Sequence, residues 1–239
     1  MISKEQLKNL VLSDDKIREL ATLSSEEIAE QFDPVFSAMK GYSQNNPHHH
    51  LTLLDHTLAV ALGIKRCLIT EEEFIDLRIA ALFHDIAKPL VKKEKNGRSV
   101  YYGHAEASAK LAENLLLKSG FTPNEALRIL FFIQFHDAFI PFKFLSELDD
   151  HHSPHLLEIN TSNVTKAIDS IFSESKKSLD YTPSSRDLAL LASRFCPADQ
   201  DAQAEIAVYQ GIIIDSRENK KKRIKRIYQL MCNELNGTT

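Results

Sequence analysis

Apolar residues recur every three to four positions along most of this chain. That spacing predicts amphipathic helices over 52–69, 74–87, 105–118 and 124–136, with further helices near 4–20, 26–39, 162–177, 185–195 and 200–232. Three starts are marked by a hydroxyl residue followed three positions later by glutamate: Ser24 and Glu27, Thr70 and Glu73, Thr122 and Glu125. In this capping pattern each side chain satisfies a backbone N–H that the first helical turn leaves without a partner. Pro123 falls at a first helical position, where a missing N–H costs nothing. The pattern breaks at 91–102, where Asn96-Gly97 between short flanks predicts a small hairpin with a tight turn. It breaks again at 138–160, a mixed stretch with Pro141, Pro154 and the histidines His151, His152 and His155, which reads as a surface loop. No internal repeat or linker stands out, so the expectation is an all-α bundle of one domain.

Composition supports that reading. The chain has 239 residues, 43% of them hydrophobic and 26% charged, with only seven glycines and eight prolines, as expected of a globule able to bury a sizeable core. A net charge of −4 argues against a surface that attracts nucleic acid as a whole. The run Lys220–Arg226 is the exception, and it precedes Ile227, Leu230 and Met231 at helical spacing. It predicts a basic amphipathic helix at the C-terminus, the one candidate surface for RNA. Cys67, Cys196 and Cys232 are odd in number and far apart, and read as reduced thiols. No apolar run reaches the roughly 20 residues that span a bilayer, and residues 1–10 lack a signal-peptide core. The expectation is a soluble, cytoplasmic protein with no membrane contact. No GxxxxGK phosphate loop is present, which argues against ATP-driven chemistry.

The candidate chemistry lies in histidines and aspartates. His84 and Asp85 are adjacent at the end of an apolar helical stretch, with Lys88 following closely. His56, His104, His136 and Asp199 lie on other helical segments, at intervals of one helix plus a turn or multiples of it, so all can project toward a common bundle core. A lone helical histidine is ordinarily a half-buried, hydrogen-bonded residue. A His-Asp pair inside an apolar helix differs, because a buried charge needs a partner or a metal. Imidazole with carboxylate suits a transition-metal, manganese or magnesium hydrolytic site better than a structural zinc.

These residues carry a resemblance. His56, His84-Asp85 and Asp199, with the words Leu82-Phe-His-Asp-Ile-Ala-Lys88 and Tyr102-Gly-His104, are similar to the motif of the HD superfamily of metal-dependent phosphohydrolases. Residues 47–205 most resemble the C-terminal HD region of bacterial CCA-adding tRNA nucleotidyltransferases, through Gly103-His104, Pro123-Asn-Glu125, Phe135-His136-Asp137 and Ala198-Asp199. The resemblance implies an HD-domain helical bundle with core 47–205, N-terminal helices in 1–46, the hairpin near 91–102 and the basic helix over about 206–235. It implies a first metal site of His56, His84, Asp85 and Asp199, and a second completed by His104 and His136 with Asp85 as bridge. One or two divalent ions would be held, drawn from Mn, Ni, Co, Fe, Mg or Zn. Asp187 and Asp201 compete with Asp199 for the last position, and the Arg194-Phe-Cys-Pro197 segment before it departs from the family pattern.

The implied activity is hydrolysis of nucleotide-type phosphoesters, such as 2′,3′-cyclic phosphates or RNA ends. Asp85 would orient the attacking water, Lys88 would contact the phosphate, and Asp137 would hold an imidazole. His48-His-His50 reads first as a polar loop, with His50 the candidate substrate contact at the mouth of the site. Residues 1–46 supply no polymerase head, so a stand-alone hydrolase is expected. The alternatives are a nucleoside mono- or triphosphate phosphohydrolase and a catalytically silent nucleotide-binding module.

Overall fold

Helices begin where side chains can cap them. The computed structural model describes residues 1–148 and 155–237, so His151, His152 and Pro154 of the expected loop lie outside the described residues. Ser24, Thr70 and Thr122 each accept from the backbone N–H three residues on, while Glu27, Glu73 and Glu125 return the bond. The same device recurs at Ser3 with Gln6 and at Ser184 with Asp187. Caps also divide what periodicity alone reads as continuous. The expected helix 4–20 is two, α1 (Lys4–Val11) and α2 (Asp14–Leu20), because the Ser13 hydroxyl accepts from Lys16 N and starts a second helix. Asp33 does the same between α3 (Ser25–Gln31) and α4 (Pro34–Ser37).

The central elements are α5 (Leu53–Gly63) and α6 (Glu71–Phe83), followed by the short α7 (Lys88–Val91). The expected hairpin follows as β1 (Lys93–Lys95) and β2 (Arg98–Val100), with Lys93 opposite Val100. Its turn residues Asn96 and Gly97 have φ of 53° and 74°, the conformation that Asn-Gly tolerates best. Then come α8 (His104–Lys118) and α9 (Pro123–Phe135). Segment 138–160 is not wholly irregular. The strands β3 (Phe142–Lys143) and β4 (Leu157–Glu158) pair in parallel, and a 3₁₀ turn covers Leu145–Glu147. α10 (Thr161–Leu179) and α11 (Ser185–Leu190) lead through a π-helical turn, Leu191–Phe195, into α12 (Cys196–Asp201).

The expected helix 200–232 is a correction. An antiparallel hairpin of β5 (Ile206–Tyr209) and β6 (Ile212–Ser216) interrupts it, and only then does α13 (Arg217–Gly237) begin. β-branched residues make up half of β5 and most of β6, and Gln210 and Gly211 take φ of 50° and 80° across the turn. Such residues lose rotamer freedom in a helix and pack well in a strand. The Ile212-Ile-Ile run within that stretch is the strand signal.

The core forms around α6, in which every residue from Glu73 to Phe83 is buried. Phe36, Phe83, Phe131, Phe132 and Phe195 are among its largest buried side chains. One buried charge ties the N-terminal helices to it. Arg78 on α6 donates to Val11 O at 2.9 Å and to Asp14 Oδ1 at 2.6 Å, with its guanidinium 4.2 Å from the Phe74 ring centroid. Among the described residues, no helix is long and apolar enough to cross a membrane.

At Gly63 the backbones of α5 and α12 approach so closely that an added Cβ would sit 3.2 Å from the Ala198 Cβ. α5 carries His56 and α12 carries Asp199, so this contact sets the distance between them. Gly63→Val should therefore lower stability by about 1–3 kcal/mol through overpacking and weaken metal retention. Thermal melting with and without chelator checks this, and an unchanged melting temperature would show that the approach is not a constraint.

Candidate metal centre

α6 ends at Phe83, and the chain turns through His84–Ala87 before α7. Neighbours within a helix point about 100° apart. At this helix end His84 and Asp85 converge, with His84 Nε2 3.2 Å from Asp85 Oδ2. α9 repeats the construction: it ends at Phe135, and His136-Asp137 follow as His84-Asp85 do. His104 opens α8 after Gly103, whose φ of 75° is the left-handed conformation that glycine adopts freely.

Each imidazole is locked from behind. Nδ1 of His84, His104 and His136 lies 2.8, 2.8 and 2.7 Å from the carbonyl three residues earlier, at Ala81, Tyr101 and Ile133. His56 Nδ1 faces Ala202 O at 3.4 Å. A carbonyl only accepts, so every Nδ1 carries the proton and every Nε2 is turned to the centre.

Asp85, 1% exposed, divides the cluster by its two oxygens. Oδ2 lies 3.2 Å from His84 Nε2, 3.6 Å from His56 Nε2 and 2.7 Å from Lys88 Nζ. Oδ1 lies 3.2 Å from His104 Nε2 and 3.7 Å from His136 Nε2. Asp199 Oδ1 closes the first group, 3.0 Å from His56 and 3.7 Å from His84. Asp187 is used elsewhere, accepting from Ser184 and from the Tyr181 hydroxyl at 2.9 Å. The edge of Phe195 packs against the His84 ring at 5.7 Å and gives the cluster a dry wall.

This donor set fits a divalent cation. Among the described residues, His56 Nε2, His84 Nε2 and Asp85 Oδ1 are buried without a hydrogen-bond partner, and an orphaned buried acceptor is unfavourable by about 1–3 kcal/mol. His104 Nε2 and His136 Nε2 face each other at 3.2 Å, a pairing of lone pairs that needs a positive charge between them. Two groups, His56/His84/Asp85 and Asp85/His104/His136, each bring ligand atoms within 4.8 Å of one another. Proton affinity shows the same demand for positive charge. Burial opposes a charge on His84, but Asp85 and Asp199 outweigh it and raise its pKa to about 10. His104, likewise opposed by burial, is raised to about 10 by Asp137 and Asp85. Burial also opposes the charge on Asp85, yet His84 and Lys88 hold its carboxyl well below the usual range.

The cluster opens on a cavity of about 610 Å³. Lys88 is buried at its floor and donates to Gln44 Oε1 at 2.9 Å besides pairing with Asp85. His50, the expected substrate contact, is exposed and lines a shallow pocket beside this cavity. His48 and His49 line the cavity itself, with the His49 ring 5.0 Å from that of His56. His155, expected on the surface, reaches the cavity as well. Sequence reasoning also missed Gln203, which donates to Asp199 Oδ2 at 3.0 Å, and Lys220, which donates to Gln203 Oε1 at 2.6 Å. Lys220 and Arg223 belong to the basic run expected to face solvent, yet both are buried beside the cavity. Their spacing of three, matched to Ile224 and Ile227, was the available signal.

The HD domain family profile matches residues 53–170. A CC-adding tRNA nucleotidyltransferase of Thermus thermophilus is 29% identical over 140 residues, which cover 58% of this chain and 32% of that protein. A bifunctional uridylyltransferase/uridylyl-removing enzyme of Bordetella avium is 30% identical over 135 residues, covering 50% of this chain and 15% of that protein. Its counterpart in Bordetella pertussis is 29% identical. The chain thus spans about a third or less of the curated relatives it matches.

Metal uptake should displace protons from His84 and His104. Because their pKa values are raised, both hold protons below about 10, so affinity should climb as pH rises from 6 to 8, by up to about tenfold per unit for each proton released. Calorimetric Mn titrations at three pH values check this, and an affinity that is flat in pH would overturn it. Asp85→Asn should abolish metal retention while leaving helical content near wild type, as read by elemental analysis and circular dichroism.

Proposed function

Residues 53–170 form an HD domain, the fold of a metal-dependent phosphohydrolase superfamily, and from that premise we propose that this protein hydrolyses nucleotide-type phosphoesters at the His/Asp centre. The observation that carries the reading is Asp85, whose two oxygens face two separate histidine pairs with their Nε2 atoms turned inward. His56, His84, Asp85 and Asp199 would hold one divalent ion, and His104 and His136 with Asp85 a second. A bound ion supplies Lewis acidity toward phosphoryl oxygens and lowers the pKa of water from about 16 to near 7.

The chain's own groups do the rest. Lys88 Nζ, fixed between Asp85 and Gln44, offers positive charge where it builds on a phosphoryl group. Asp85 orients the attacking water through its hydrogen-bonding oxygens. Asp137, whose oxygens lie 3.2 and 3.4 Å from His104 and His136, steadies the second imidazole pair. Phe195 and the α6 core keep bulk water from the rear of the cluster.

The substrate class rests on the relatives. A tRNA nucleotidyltransferase handles RNA ends, and removal of a uridylyl group, part of the Bordetella enzymes' name, is a cleavage at phosphorus. RNA contact would fall to the exposed side of α13, where Lys225 and Arg226 face outward.

With Mn, Ni, Co or Mg added separately, the protein should turn over bis-p-nitrophenyl phosphate and 2′,3′-cyclic AMP. His84→Ala should lose at least about a thousandfold, and Lys88→Met about 10²–10³-fold in kcat/KM. Turnover of nucleoside mono- or triphosphates alone would replace the diesterase with a nucleotidase. Retained metal without any turnover would identify a binding module.

A further inference from the structure

The cavity wall away from the histidines carries more positive charge than the protein itself neutralises. Arg223 and Lys143 are both satisfied there. Arg223 pairs with Glu147 and Asp215, and Lys143 with Asp215 at 3.2 Å. Lys220 differs. It is 9% exposed, and among the described residues no carboxylate lies within ion-pairing distance of its Nζ. Its two partners are neutral: Gln203 Oε1 at 2.6 Å and His48 Nδ1 at 3.1 Å. His48 cannot share the charge, since burial and the Lys220 ammonium lower its pKa to about 4. An ammonium has three donors, so one remains without a protein acceptor among the described residues.

Arg98 is the second such cation. It comes from β2, lines the same cavity, and stacks its guanidinium 4.8 Å from the Tyr209 ring centroid. Among the described residues its buried Nε has no hydrogen-bond partner. Arg98, His48 and Lys220 line one cavity, with Lys220 Nζ 3.1 Å from His48 Nδ1. Burying an unpaired ammonium is unfavourable, and the lowering of the Lys220 pKa to about 8 by burial shows the strain on the charged form. An anionic group on a ligand relieves both cations at once.

We propose that Lys220 and Arg98 form an anion subsite, distinct from the histidine cluster, that takes the second phosphate of a doubly phosphorylated nucleotide while the first lies at the Asp85 centre. The identity of the ligand rests on the phosphohydrolase reading, whereas the subsite itself rests on the two uncompensated cations. Both groups are charged hydrogen-bond donors to phosphate, the stronger class of such bonds. Gln203 links the subsite to the centre, because it accepts from Lys220 and donates to Asp199.

The test is binding to the metal-free protein, which needs no turnover. Calorimetric titration with thymidine 3′,5′-bisphosphate and thymidine 5′-monophosphate gives a ratio of affinities. The bisphosphate should bind at least about tenfold tighter. Lys220→Gln and Arg98→Gln should each bring the ratio within about threefold of unity, and Lys220→Arg should preserve it. Circular dichroism and thermal melting identify any variant that fails to fold, and the remaining variants then decide. Equal affinities in the wild-type protein, or a ratio unchanged in both charge-removing variants, would overturn the proposal. A protein that discriminates in this way but hydrolyses nothing would keep the subsite and lose the phosphohydrolase.

Discussion

A carboxylate with almost no access to water governs this molecule. Asp85 lies at the end of a helix that is buried along nearly all its length, and an isolated buried charge is too unfavourable to persist without compensation. Compensation arrives from four chain segments: His56 on α5, the adjacent His84 with Lys88, His104 at the start of α8, and His136 at the end of α9. The packing of those helices and the solvation of one anion are thus one problem. The neutral imidazoles alone do not solve it, because each turns a lone pair toward the carboxylate. A cation, whether protons on the imidazoles or a divalent metal, completes the arrangement.

Two helix ends share the load. Phe83-His84-Asp85 and Phe135-His136-Asp137 are the same three residues at the same position relative to their helices, each with Nδ1 tied back to the carbonyl three residues earlier. A helix end supplies carbonyls that no later N–H occupies, so the imidazole finds its anchor without a dedicated partner. The two aspartates then diverge in role. Asp85 is enclosed between both histidine pairs, whereas Asp137 faces the cavity side and meets only His104 and His136.

Much of this could be read from the sequence, for a physical reason. Ligands such as His84-Asp85 stand out because charge inside an apolar helical pattern demands explanation; helix-plus-turn intervals allow His56, His104, His136 and Asp199 to converge, and their selection as ligands rests on the resemblance to the HD motif. The structure brings all six together and leaves Asp187 to a helix cap. Residues whose role depends on which way a surface element faces were not legible. Lys220 and Arg223 sit in a run of basic residues that reads as a solvated face, and only the hairpin β5–β6 turns them inward. That hairpin is hard to read from sequence because its short strands are flanked by helical sequence on both sides. His50 and His49 are adjacent, and no periodicity in a loop decides which of the two meets the His56 ring.

The stretch that matches the HD family ends at residue 170, well before Asp199, Gln203 and Lys220. The cluster takes only Asp199 from this later stretch, whereas the charged wall combines Arg98 and Lys143 from the matched stretch with Lys220 and Arg223 from the later one. Substitutions in the hairpin and the first turns of α13 would reshape that half of the wall, while the helix ends that carry the His/Asp cluster stay as they are.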